Sequence, residues 1–251
     1  MSETFTKEQR VALQDLVLKY EKLQRENQLR TWFPSTGPLA YTEYKKHFAF
    51  WKLGLTESER AMICANRVGK TIAGGYEVTL HLTNLYPEWW PGIKFPYTIK
   101  VWACGDTNDT VRDIIQPVLF GERGHIGTGM IPRRLIADVI YKRGSSEMID
   151  TAWIQREGTK DVSLLQFKSY EQGRKTFQGT QMDIIWCDEE PSMDIYSECQ
   201  IRTMRTKEDR IPGQLLNTFT PLLGMSDVCL HFLPGGRLPE DPISLAPQER
   251  H

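Results

Sequence analysis

The stretch Cys64-Ala-Asn-Arg-Val-Gly69-Lys70-Thr71 constrains this chain more than anything else in it. A short apolar run, 61–65, leads into it, and 71–82, with apolar residues at helical spacing, leads out. Strand, loop and helix in that order fit G-x-x-x-x-G-K-[ST] at its last three fixed positions, with Cys64 where the first Gly usually sits. Such a loop turns successive backbone N–H groups inward, and the helix start adds partial positive charge. Gly69 allows close approach of an anion, Lys70 reaches β- and γ-phosphates, and the Thr71 hydroxyl can ligate Mg²⁺. The candidate ATP-binding residues are therefore Cys64, Ala65, Asn66, Arg67, Val68, Gly69, Lys70 and Thr71. Arg67 either reaches the γ-phosphate or is a solvated loop charge.

A second element ends in acid. Asp183-Ile-Ile-Trp-Cys-Asp188-Glu189-Glu190 is an apolar strand closing on three carboxylates, which repel one another unless a cation or solvent relieves them. It lies 118 residues after Lys70 (188 − 70) with strands between. Brought beside the phosphate loop, Asp188 would hold Mg²⁺ and Glu189 would polarise an attacking water, with Glu190 as scaffolding or solvent-facing. A third strand, Leu215-Leu-Asn-Thr218-Phe-Thr220-Pro221, ends in hydroxyls. These either bond to the terminal phosphate or its attacking water, or mark an ordinary strand-to-turn ending.

Around these blocks, 98–104, 163–167, 183–187 and 213–219 read as strands, and 107–119 and 193–204 as helices. Short apolar runs alternating with helices predict a three-layer α/β fold with a mainly parallel central sheet. Apolar residues Leu13, Leu16, Val17, Tyr20 and Leu23 recur at three and four, giving a helical N-terminal appendage over 7–30. A Pro-containing loop at 32–40 and a short aromatic helix through Tyr44, Phe48, Phe50 and Trp51 follow. The chain divides as a lead-in (1–40), a main domain (41–233) and a Pro- and Gly-rich linker or end (234–251). At 251 residues it can bury a sizeable core, and a net charge of -1 means that any polyanion must be held by a local patch. The basic residues Lys142, Arg143, Arg156, Lys160, Lys168, Arg174 and Lys175, and a second group, Arg202, Arg205, Lys207 and Arg210, read as solvated faces rather than a nucleic-acid track. Trp89 and Trp90 read as loop packing. Five dispersed cysteines read as reduced small hydrophobes, and no apolar run approaches a membrane span.

Together the blocks resemble the ATPase half of the large terminase subunit of tailed bacteriophages, most closely those of short-tailed enteric phages. The resemblance is carried by 66–71, Gly105-Asp-Thr-Asn-Asp-Thr110, Gln172-Gly-Arg174, Gln178-Gly179, Trp186-Cys-Asp188-Glu-Glu-Pro191 and 219–227, and covers about 41–233. It implies a P-loop NTPase of the additional-strand, catalytic-glutamate type that uses ATP and Mg²⁺ to drive double-stranded DNA into a procapsid. On that resemblance Lys70, Glu189 and Arg174 are catalytic, Arg174 as an arginine finger in cis or in trans or else a plain surface residue. Thr71 and Asp188 hold the metal, and Thr218 and Thr220 couple hydrolysis to motion. The implied partners are double-stranded DNA, the capsid portal, the small terminase subunit and further copies of the chain in a ring, in the cytoplasm of the infected bacterial host and without membrane contact. His47 stands where relatives often have an adenine-reading Gln, and reads as an ordinary surface or satisfied histidine; Gln178 stands where several have an Arg. Only 18 residues follow Leu233 (251 − 233), so a nuclease is not expected here. A helicase-like P-loop ATPase and a nucleotide-binding assembly module without turnover stay open as alternatives.

Overall fold

Period-two burial sets the architecture of the computed structural model, which describes residues 6–233 apart from 27, 146, 205–210 and 223, and only the backbone of 8 and 21–26. Among the described residues, seven strands form one sheet: β1 (Glu59–Ile63), β2 (Lys100–Gly105), β3 (Ile136–Tyr141), β4 (Ile149–Gln155), β5 (Val162–Ser169), β6 (Ile184–Asp188) and β7 (Gln214–Phe219). They lie side by side in the order β1-β7-β6-β2-β5-β4-β3. The first five in that order are mutually parallel, and β4 and β3 extend the sheet antiparallel. The helices are α1 (Lys7–Glu26), α2 (Gln28–Thr31), α3 (Lys45–Leu53), α4 (Lys70–Thr83), α5 (Asn108–Thr110), α6 (Gln116–Phe120), α7 (Met193–Thr203) and α8 (Asp227–Phe232), with a π-helical segment, Val111–Ile115, joining α5 to α6.

Alternate residues of each central strand go to opposite layers. Ile184 and Trp186 of β6, Val101 and Ala103 of β2 and Leu216 of β7 pack with Ala73, Tyr76 and Leu80 of α4 and with Ile115 and Leu119. Their neighbours Ile185, Cys187, Trp102, Cys104 and Leu215 pack with Ile195, Tyr196 and Cys199 of α7 and Val228 and Phe232 of α8. The three layers expected from the sequence are present, and β6 is buried along its whole length. The antiparallel pair β3 and β4 was not anticipated. Asp138 interrupts the apolar run of β3, because an edge strand turns one side to water.

The N-terminal aromatics cover α4. Leu29 and Phe33, before residue 40, belong to the same core as Trp51 and Tyr76. Trp51, fully buried, donates its indole N–H to Ala73 O at 3.2 Å, and Trp89 stacks on Tyr41 at 4.4 Å, so the tryptophan pair is loop packing as expected. The expected strip 234–251, Leu23 and residues 205–210 lie outside what is described at side-chain level.

Midway along α4 a buried guanidinium, that of Arg60, is held by a carboxylate, an amide and a carbonyl, with its Nε alone left without a partner. Arg60 donates to Glu77 Oε1 at 2.9 Å, to Gln214 Oε1 at 3.0 Å and to Phe50 O at 2.8 Å, tying α4 to β1, β7 and α3. Burial works against the Glu77 charge, but Arg60 and then His81 hold its carboxyl below the usual range. Glu77→Gln is expected to destabilise the chain by about 3 kcal/mol, since Arg60 keeps a buried charge with no counter-charge. Urea denaturation checks this; a loss within error would mean that the neutral amide partners suffice. Of the expected basic faces, Arg156 is interior and Lys168 half-buried. Arg156 is 4% exposed and donates to His81 O and Phe95 O, and Lys168 donates to Thr176 O with its ammonium 4.5 Å from the Trp102 ring centroid. Both hold the protein's own loops, which corrects their reading as solvated face.

Candidate active site

The order of the strands explains why residues distant in sequence meet. β7 lies between β1 and β6, in register Met62↔Thr218 and Asp188↔Thr218, so the ends of the three strands share one edge of the sheet. The phosphate loop leaves β1 there, and α4 begins at Lys70. Arg67 and Gly69 take left-handed conformations at φ 64° and 86°. A Cβ on Gly69 would stand 3.1 Å from His47 Nε2, so glycine serves both the turn and the close approach. No side chain caps the α4 N-terminus, which leaves its first-turn N–H groups facing the loop.

Lys70 is buried and its ammonium donates to Ala65 O at 3.2 Å and Thr220 Oγ1 at 2.7 Å. A lysine ammonium only donates, so Thr220 accepts it and passes its own hydrogen to Asn66 Oδ1 at 2.7 Å. Thr71 donates to Asp188, 2.9 Å from Oδ2 and 3.1 Å from Oδ1, and Thr218 donates to Oδ1 at 2.7 Å. Asp188 is 2% exposed. Burial pushes its carboxyl up to about 7; the Thr218 and Thr71 hydrogen bonds and Lys70 oppose this, and Glu189 adds to it. Lys70, Thr71, Asp188, Thr218 and Thr220 thus form one cluster, drawn from α4, β6, β7 and the residue just past β7.

Two hard oxygen donors side by side, one a carboxylate that burial starves of counter-charge, suit a hard divalent cation completed by phosphate oxygens and water. Among the described residues no group of three or more His, Cys, Asp or Glu is placed to hold a metal.

Glu189 follows at φ 75°, left-handed for a non-glycine residue. Its N–H donates to Thr218 O at 3.0 Å and its carbonyl accepts from Tyr170 OH at 2.9 Å, so both ends of the strained peptide are held. Glu190 accepts from Ser226, which caps α8. Arg174 sits elsewhere: its guanidinium donates to Glu198 Oε1 of α7, on the sheet face opposite α4, and its side chain is 53% exposed. Gln178 bonds the same carboxylate. Arg67 and Cys64 lie on the loop, Arg67 exposed and Cys64 partly buried, where burial raises its thiol against the pull of Lys70 and Lys46.

His47 is not on the surface, contrary to the expectation. It is 8% exposed, packs against Gly69, and has an Nε2 with no hydrogen-bond partner; burial pulls its ring below the usual range. It lines, with Trp32, Phe33, Tyr44, Arg67 and Ile72, a cleft of about 370 Å³ beside the phosphate loop. Sequence reasoning missed this aromatic cleft, and also Trp186 and Tyr170. The Gly74-Gly75 pair inside α4 was the available signal for Trp186, because glycine in a helix interior is costly unless something packs on it.

The family model for "Terminase large subunit, T4likevirus-type, N-terminal" matches residues 62–240, more than two thirds of the chain. The chain belongs to the terminase large subunit family. This bears out the resemblance carried by the motif blocks. The large terminase subunit of Salmonella phage P22 is 34% identical over 216 residues, covering 77% of this chain and 42% of the relative, so the terminase chain spans less than half the length of that protein. Among solved structures, the large terminase of a thermophilic bacteriophage overlaps 70% of the terminase chain and 37% of its own at 14% identity and TM-score 0.47. The ATPase domain of the Thermus phage P74-26 large terminase overlaps 70% and 68% at 14% identity and TM-score 0.39. No described helix is long and apolar enough to cross a membrane.

Proposed function

We propose that this terminase chain hydrolyses ATP with Mg²⁺ and is the motor half of a genome-packaging enzyme that drives double-stranded DNA into a procapsid. The observation that carries the reading is the convergence of Lys70 and Thr71 with Asp188 across 117 residues of sequence, closed by the 2.9 Å contact of Thr71 with Asp188. The loop N–H groups and Lys70 bind the phosphates, and Thr71 and Asp188 hold Mg²⁺, which supplies charge neutralisation on the phosphate oxygens. Glu189 orients the attacking water and takes its proton, and the cleft lined by His47 and the aromatics receives the base. Thr218 joins the acid to β7 and Thr220 joins the lysine to the turn that follows it, and so the two carry the state of the site into that strand and its exit. Arg174, tied to Glu198 in its own chain and half exposed, would serve a neighbouring subunit's site in a ring. The capsid portal and the small terminase subunit are the expected partners, in the cytoplasm of the infected host. The unit assigned to this work is 41–233, with 1–40 as lead-in and 234–251 as a linker.

Phosphate release is expected to rise more steeply than protein concentration in wild type and to vanish in Lys70→Ala at every concentration. A Lys70→Ala variant as active as wild type would remove the phosphate loop from the reaction.

A further inference from the structure

Trp186 is fully buried and belongs to no ligand-binding set, yet its indole Nε1 lies 2.8 Å from Thr218 Oγ1. An indole N–H only donates. Thr218 therefore accepts from Trp186, and its single hydrogen is left to point at Asp188 Oδ1, 2.7 Å away. Without that constraint a threonine hydroxyl can turn about its Cα–Cβ and C–O bonds, and a carboxylate with a wandering donor is less well fixed. The indole itself is clamped: a Cβ on Gly74 of α4 would stand 2.3 Å from Nε1 and 2.5 Å from Cε2, so the helix that begins at the phosphate loop rests directly on the ring. Residues 186, 188 and 218 share the face of the sheet that α4 covers, which is why one side chain spans all three elements.

We propose that Trp186 is a positioning residue for the metal site: by fixing the Thr218 hydroxyl as a donor to Asp188 Oδ1, it keeps the carboxylate turned so that Oδ2 stays with Thr71 for the cation. The proposal rests on the reading of Thr71 and Asp188 as Mg²⁺ ligands. It also makes the seat of α4 on Gly74 part of the site, since any shift of that helix moves the N–H.

The test uses the whole chain and does not depend on turnover. Binding of a fluorescent ADP analogue is titrated with Mg²⁺, and in EDTA, for wild type, Trp186→Phe, Thr218→Val, the double variant and Trp186→His. Each single variant is expected to raise the Mg²⁺ midpoint about tenfold, the scale of one hydrogen bond to a charged group. The double variant is expected to match the single variants, because both changes cut one chain of bonds, while the affinity of Trp186→Phe in EDTA stays at the wild-type value. Trp186→His, which restores a ring N–H, is expected to recover most of the midpoint while melting no higher than Trp186→Phe. A Mg²⁺ midpoint unchanged in Trp186→Phe, whatever happens to its melting temperature, overturns the proposal, as do single effects that multiply in the double variant. Should Trp186→Phe fail to fold, Trp186→His decides: a melting loss with a wild-type midpoint supports the donor role, and a tenfold loss overturns it. Wild-type binding indifferent to Mg²⁺ overturns the metal-site reading and this proposal with it, whereas a Mg²⁺-dependent wild type with indifferent variants overturns this proposal alone.

Discussion

Replacing Glu189 by glutamine is expected to lower phosphate release about a thousandfold while leaving nucleotide affinity within about twofold of wild type. The main chain explains why the effect can be so clean. The left-handed turn at Glu189 is held by its own N–H on Thr218 O and by Tyr170 OH on its carbonyl, neither of which involves the side chain being changed. Glutamine keeps the length and shape of the side chain but cannot take a proton from water, so binding by the loop, Lys70 and Thr71 continues while the proton has nowhere to go. Steady-state phosphate release and equilibrium binding of a fluorescent nucleotide, measured on the same preparation, separate the two. Turnover at the wild-type rate would exclude Glu189 as the base.

Asp188→Asn is expected to abolish turnover and yet to make the protein without nucleotide more stable at pH 8. Burial raises the Asp188 carboxyl from 3.8 to about 7, a gap that corresponds to about 4 kcal/mol. Because the folded chain holds that proton up to about pH 7 and the unfolded chain gives it up near 3.8, folding binds more protons in between. Stability from this group therefore falls as pH rises through that window, and the full cost is present above it. Asparagine can still accept from Thr218 and Thr71 but carries no charge. Its advantage over wild type should be greatest at pH 8, about 4 kcal/mol, and shrink to less than half of that at pH 5. Urea titrations of both proteins at the two pH values check this. An advantage that grows on acidification would show that the carboxylate is not the strained group. The expected result, an advantage largest at pH 8, would fit a site built to be relieved by a cation rather than by its own chain.

The sequence and the folded chain agree most closely where a periodicity or a fixed chemical group decides the outcome. The unbroken apolar run in Asp183-Ile-Ile-Trp-Cys-Asp188 reads directly as a strand buried on both faces, and the helix after Thr71 runs within a residue or so of its expected limits. The terminal chemistry of each strand was equally legible, since glycine, lysine, hydroxyl and carboxylate can be recognised one at a time. Lateral order was not. Nothing in 214–219 alone says that β7 slides between β1 and β6, although that placement is what lets Thr218 reach Asp188 and Thr220 reach Lys70. The same holds for His47, whose ring meets Gly69 only because α3 folds back over the loop. Arg156 and Lys168 were read as surface charge because a basic side chain looks the same in sequence whether it meets water or a carbonyl.

The resting contacts of Lys70 bear on how readily an anion can be taken up. The hydrogen bonds of its ammonium go to a carbonyl and a hydroxyl, two uncharged oxygens, and not to an acid. A triphosphate arriving at the loop has only to outcompete two dipoles, each worth about 2 kcal/mol net against the ammonium, instead of breaking an ion pair. Capture at this edge of the sheet is therefore an exchange of uncharged oxygen partners for charged ones, with Thr220, just past the end of β7, the first side chain to be let go.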